Sequence, residues 1–250
     1  MIIDGHVHVG RWAIENFSAC STTLEESAGL LASLGFGGAL VMTTDTGNNE
    51  SLLAELKGYG GALRLFFAFW VNPFGRGNFR LLEREKGNVS ALKFHPSFLK
   101  TPATSPLIEG YFKFAEREKL PCIIHCGRWK EIADFRIALS AAERYGADFI
   151  LSHMGGDSPE IVSECVKTVK ERGLPNVYLG TESIREYWLV QTALDTLGAD
   201  RLIFGSDYNL NHPLSFVAVI NALKCGDGDR KKILGENLLS LFRRPNAFPL

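Results

Sequence analysis

Residues 121–153 read PCIIHCGRWKEIADFRIALSAAERYGADFILSH, and they contain one complete structural unit. Cys122-Ile123-Ile124 is a short apolar run opened by Pro121, one of the places where a strand accepts proline. In Glu131–Leu139 the apolar residues recur at three and four, the period of an amphipathic helix. Phe149-Ile150-Leu151 is then a second short apolar run. Two strands joined by a helix of this length pair in parallel, because parallel strands need such a crossover.

The same alternation extends in both directions. It predicts strands near 2–8, 38–43, 65–71, 89–95, 121–126, 148–153, 176–181 and 201–206. Between and after them it predicts helices at about 24–34, 48–57, 77–86, 107–119, 130–145, 158–172, 185–197 and 213–224. Pro159 and Gly173 bracket one of these as helix ends favour. Eight such units in 250 residues match a single closed (β/α)₈ TIM barrel of the α/β class, slightly distorted, with short extra C-terminal helices after about residue 226. An open doubly wound sheet would require a Gly-rich phosphate turn, and the sequence contains neither GxGxxG nor a Walker pattern. Residues 1–250 are therefore expected to be one domain.

Composition narrows the function classes. Twenty-seven Lys+Arg against 28 Asp+Glu leave a net charge of −1, which argues against a bulk-basic nucleic-acid binder and against an acidic tail. The strongest apolar run, Leu65–Val71, is too short to span a bilayer, and no export signal opens the sequence. Five scattered cysteines without a CxxC pair read as free thiols in a reducing cytoplasm. The partner expected is a small-molecule substrate, without nucleic acid or membrane; a homodimer is compatible.

Of six histidines, five (His6, His8, His95, His125 and His153) fall at or beside the C-terminal ends of predicted strands. Those ends converge on the face where barrels of this kind build active sites. His6 and His8 are two apart on one strand, so both imidazoles rise on one side, with Asp4 expected below them. Two such rings make half of a first-row metal site. His125, His153 and Asp207, each ending another strand, supply further candidate ligands. For His153, a ligand, a catalytic and a structural role all remain open. His212, before Pro213, reads as an exposed loop residue.

Taken together, Asp4-Gly5-His6-Val7-His8, Lys93-Phe94-His95-Pro96, His125, His153-Met154-Gly155-Gly156 and Gly205-Ser206-Asp207 resemble the amidohydrolase superfamily. The nearest branch is the amidohydrolase-related, aminocarboxymuconate-semialdehyde-decarboxylase-like group, and the likeness spans the chain. It implies one divalent metal, Zn2+ in the first instance with Mn2+ or Fe2+ as alternatives, held by His6, His8, His125 and Asp207. It also implies that His153 acts beside the metal-bound water; Asp207, if bound loosely, is expected to accept a proton from that water. Two-metal relatives bridge their ions from strand 4, where this chain has Lys93 and His95. Pairing of Lys93 with an interior carboxylate such as Asp4 is the alternative to a bridging role.

His95, Arg128, Trp12 and Trp70 are the candidate substrate contacts, since arginine beside aromatic rings suits a planar or carboxylated molecule. Arg11 and Trp129 lie on the same face, and Glu182 ends strand 7 with its role undecided. The expected activity is hydrolysis of a small carboxylated ester, lactone or amide. The alternative is non-oxidative decarboxylation of a small unsaturated or aromatic acid. The chain is short, without the long loops of the larger decarboxylases, which weakens that alternative. A non-catalytic metal-binding barrel and a phosphoesterase complete the field.

Overall fold

Eight strands follow one another around a parallel sheet in sequence order: β1 (Ile3–Val9), β2 (Gly38–Thr43), β3 (Arg64–Trp70), β4 (Ala91–Phe94), β5 (Cys122–Ile124), β6 (Phe149–Leu151), β7 (Val177–Gly180) and β8 (Leu202–Ile203). The structure is a computed structural model and describes residues 1–127, 129–242 and 248, apart from the side chain of Ser18. β8 returns to β1 through Gly5 N–H donating to Phe204 O at 3.0 Å and a parallel bridge between Val7 and Tyr208, which closes the barrel. Gly5 is required there, because a Cβ on it would lie 2.7 Å from the Phe204 carbonyl oxygen.

Period-two alternation sorts the strand residues. Leu40, Phe66, Ala91, Ile123, Ile150 and Ile203 form an inner apolar cluster, sealed by Leu238, Leu241 and Phe242 from the C-terminal segment. Two residues further along β4 and its extension come Lys93 and then His95, and two beyond Ile123 comes His125. These two strands thus place an apolar residue in the barrel floor and polar ones above it, whereas β2 and β3 continue the inner cluster with Met42 and Ala68. A second cluster, including Val41, Phe67, Phe94, Phe112, Leu139, Phe149 and Val166, packs the outer strand faces against the helices.

Several expectations shift in detail. The stretch near 130–145 is two helices, Lys130–Ala133 and Phe135–Arg144, because Asp134 leaves helical geometry to cap the second through Arg136 N–H at 2.7 Å. β6 stops at Leu151, and Ser152–Gly155 form a tight turn in which His153 (φ 56°) and Met154 (φ 50°) are left-handed. β8 is only two residues long, since Phe204 N–H turns away to Ile233 O at 3.0 Å. The C-terminal helices are Asp227–Lys231 and Asn237–Leu241, joined by a π-turn at Lys232–Glu236.

The register of β1 against β2 also shifts between Asp4 and Val7, so strict alternation does not run the length of β1. Ile3 joins the inner cluster. Asp4 instead accepts from Ser206 Oγ at 2.6 Å, Ser206 N at 3.0 Å and His6 N at 3.1 Å. Its carboxylate ties β1 to the segment after β8 rather than pairing with Lys93. Burial pushes the Asp4 carboxyl up to about 7, against the pull of these hydrogen bonds.

Candidate active site

His6 and His8 emerge from the upper end of β1 and Asp207 from the segment after β8, and all three are buried. One ligand atom from each lies within 4.8 Å of the others. His6 Nε2 and His8 Nε2 are 3.2 Å apart, and Asp207 Oδ1 stands 3.7 Å from the first and 3.6 Å from the second.

The outer ring nitrogens determine what this cluster can do. His8 Nδ1 lies 2.9 Å from Thr43 O, and a carbonyl only accepts, so that nitrogen carries the proton. His6 Nδ1 lies 2.9 Å from Glu182 Oε1, a close contact although misaligned for a straight N–H···O bond, and it too faces an acceptor. The Nε2 lone pairs of both rings therefore face each other and a carboxylate oxygen. Three electron-pair donors with no proton of their own between them suit a bound cation, and their N and O chemistry fits a divalent first-row metal.

Charge around the group follows from burial. Burial, then the neighbouring His6, lower the His8 imidazole to about 3. Burial works against ionisation of Asp207, but the imidazoles of His6, His153 and His8 and the Ser183 hydroxyl outweigh it and hold the carboxyl below its ordinary range. Lys93 is fully buried with Nζ 3.2 Å from His6 Nε2, and desolvation brings its ammonium down to about 8. It is placed against the donor cluster, not against Asp4.

His125 and His153 form a second group. His153 Nδ1 meets the Glu182 carbonyl oxygen at 3.2 Å and must donate to it, which leaves His153 Nε2 to accept from His125 Nδ1 at 3.1 Å. His125 thus stands outside the three-donor cluster, with its Nε2 turned toward Gly127. His95 lies flat on His125, with centroids 3.8 Å apart and planes at 14°, and Trp70 stacks on the far side of His95 at 5.6 Å.

A cavity of about 340 Å³ opens over the cluster, lined by His6, His8, His95, His125, His153 and Asp207 and walled by Trp12, Ile14, Phe17, Phe98 and Leu210. Trp12 is held by its Nε1–H, which donates to Asn209 Oδ1 at 2.8 Å. Trp70 is not among the residues lining this cavity; Asn49 clips its backbone on both sides at 2.8 Å, the residue borders a neighbouring pocket, and its ring packs behind His95. Arg128 lies outside the described residues. A second lobe of about 480 Å³, bordered by Ser158, Ser183, Arg185 and Glu186, shares Phe17, His125 and His153 with the first. Exposed Trp129 and Arg11 line neither lobe, and His212 is exposed as expected.

Sequence reasoning left Glu182 undecided and passed over Ser183 and Asn211. Glu182 touches His6 through its side chain and His153 through its carbonyl. Only its place at the end of β7 signalled this.

The Amidohydrolase family model matches residues 3–244. The chain belongs to the amidohydrolase family. No curated protein matches it. Among solved structures, this amidohydrolase is similar to 5-carboxyvanillate decarboxylase from Sphingomonas paucimobilis, with a TM-score of 0.75 at 12% identity over 97% of this chain and 98% of that one. It is also similar to a Pseudomonas putida protein named for an assigned 2-pyrone-4,6-dicarboxylic acid hydrolase activity, with a TM-score of 0.71 at 19% identity over 96% and 97% of the two chains. A third is a dihydroxybenzoic acid decarboxylase from Polaromonas sp. JS666 with bound manganese and 2-nitroresorcinol, with a TM-score of 0.69 at 14% identity over 96% of each chain. At these identities the likeness shows the fold. Among the described residues no helix is long and apolar enough to cross a membrane.

Proposed function

We propose that this amidohydrolase is a metal-dependent hydrolase of a small carboxylated ester, lactone or amide. The observation that carries the reading is the convergence of His6 Nε2, His8 Nε2 and Asp207 Oδ1 in a buried cluster whose Nδ1 protons are directed outward. His6, His8, His125 and Asp207 would hold one divalent ion. Zn2+ suits a histidine–carboxylate set, and Mn2+ is the ion bound in the Polaromonas structure. His125 is the member whose present hydrogen bond to His153 competes with that role. When bound, the ion supplies Lewis-acid polarisation and a water that is nucleophilic near neutral pH.

The remaining chemistry falls to the chain. Asp207, held ionised by its neighbours, accepts a proton from the attacking water and returns it to the leaving oxygen or nitrogen. As the water oxygen bonds to the acyl carbon, the bond from that carbon to the leaving atom breaks. His153, whose Nδ1–H is tied to the Glu182 carbonyl, offers an unprotonated Nε2 that shares the base role with Asp207. Trp12, Phe17 and Phe98 exclude bulk water and offer apolar faces to a planar substrate. His95 presents its ring edge from the stack on His125. The named relatives include both a hydrolase and decarboxylases, and carboxylated substrates are common to their names. The free cysteines support a reducing, cytoplasmic setting.

The test is turnover of a panel of carboxylated lactones and aromatic acids in ¹⁸O-labelled water by the metal-loaded protein. Label in the product supports hydrolysis. Release of CO₂ without label uptake replaces hydrolysis by decarboxylation at the same site.

A further inference from the structure

The two oxygens of Asp207 have different neighbours. Oδ1 faces the Nε2 atoms of His6 and His8, at 3.7 and 3.6 Å. Oδ2 lies 2.8 Å from Ser183 Oγ, and Ser183 Oγ lies 3.0 Å from Asn211 Nδ2. An amide nitrogen can only donate, so Asn211 fills an acceptor position on the hydroxyl and leaves the single Ser183 proton for Asp207. The Asn211 amide is itself oriented by Arg185, whose Nη2 approaches Asn211 Oδ1 at 3.4 Å. A guanidinium has no lone pair to offer, so the oxygen end of the amide faces Arg185 and the nitrogen end faces Ser183. Every bond in the chain Arg185, Asn211, Ser183, Asp207 then runs in one direction, toward the carboxylate.

The backbone supports the same conclusion. Ser183 (φ 62°) and Asp207 (φ 61°) are both left-handed, a conformation that glycine adopts freely and L side chains rarely adopt. Glycine would satisfy the turn after β7 better than serine. The structure holds an unfavourable residue at 183 in the one conformation that delivers its hydroxyl to Asp207, and strain of this kind gathers where a site is held in place.

We propose that Ser183 is a positioning residue for Asp207. Its one-directional hydrogen bond ties Oδ2 and keeps Oδ1 as the oxygen presented to the ring nitrogens. The proposal rests on the reading of Asp207 as a metal-facing carboxylate. Without the Ser183 proton, the carboxylate rotates about its last bond, and the donor cluster loses its third fixed corner.

The experiment compares Ser183→Gly, Ser183→Ala and Asp207→Asn with the wild-type protein. The readouts are Zn2+ affinity by chelator competition, the visible spectrum of the Co2+-loaded protein, and thermal unfolding of the metal-free protein. Ser183→Gly relieves the left-handed strain, so it is expected to unfold at the wild-type temperature or above. It should nonetheless bind Zn2+ about 10- to 100-fold more weakly, the range for groups that orient a ligand, with an altered Co2+ spectrum. Ser183→Ala retains the Cβ, lacks the donor, and should lose affinity to the same degree. Wild-type affinity and spectrum in both serine variants, with metal lost in Asp207→Asn, would overturn the positioning role and leave the metal site standing. Wild-type affinity in Asp207→Asn would overturn the ligand reading of Asp207, and the proposal with it.

Discussion

The upper end of the barrel contains two histidine pairs built by the same device and left in opposite states. At the β1–β8 seam, His6 and His8 direct their Nδ1 atoms outward, to Glu182 and to Thr43 O, and their Nε2 lone pairs meet beside Asp207. Across the barrel, His153 is anchored in the same way on the Glu182 carbonyl, but its free nitrogen is occupied by His125. The two pairs therefore differ in where the second nitrogen points: at His6 and His8 both face Asp207 Oδ1, with Lys93 Nζ also 3.2 Å from His6 Nε2, whereas at His153 it is bonded to the neighbouring ring. Glu182 joins the halves, its side chain serving one and its backbone the other.

The largest break in this comparison is expected from His8→Ala. Removing a converging donor should abolish stoichiometric metal binding, measured by elemental analysis, with a larger loss than the about 10- to 100-fold typical of supporting groups. His153→Asn tests the other half. Turnover of the identified substrate should fall by about 10²–10⁴, the range for a proton-transfer or polarising group, while metal content stays at the wild-type level. A parallel loss of metal would show that the halves are not separable. Glu182→Gln sharpens the distinction further, since it removes the charge facing His6 but keeps the carbonyl that anchors His153. Zn2+ affinity should drop about 10- to 100-fold, with thermal unfolding little changed. The smallest effect is expected from His95→Leu, which removes the stack on His125 but no ligand. Loss of one aromatic contact is worth about 0.5–1.5 kcal/mol, so kcat/KM should change by about tenfold or less.

A control lies at the opposite end of the barrel. Phe242, in the apolar seal, packs against Phe66 with centroids 4.8 Å apart and planes tilted by 42°. Phe242→Ala should cost about 3–5 kcal/mol in denaturant unfolding, yet leave the metal stoichiometry of the folded fraction at wild type.

Much of this arrangement is legible in the chain because it depends on local period. Strand alternation alone carries Ala91 to Lys93 and His95, and Ile123 to His125, so floor and site appear in one reading. Where the period breaks, the reading fails. Alternation places Asp4 below His6 and His8 and offers it as one partner for Lys93; the register shift in β1 sends it to Ser206, and Lys93 meets His6 instead. Trp70 shares the histidines' end of the barrel, but Asn49 holds its backbone so that its ring backs His95 rather than lining the cavity. Ser183 carried no sequence signal, since nothing in its neighbours announces a left-handed serine.

The class of the fold and the face on which chemistry gathers can be read from the amino-acid order alone. Eight alternations of apolar strand and amphipathic helix admit little else in 250 residues, and five histidines at strand ends mark one rim. Which nitrogen of each ring carries the proton is settled by the closed barrel. That depends on partners far away in sequence: the acceptors Thr43 for His8 and Glu182 for His6 and His153, and the donor Ser183 for Asp207. A residue's position on a strand follows from periodicity, but the direction of its proton depends on partners that meet only when the barrel closes.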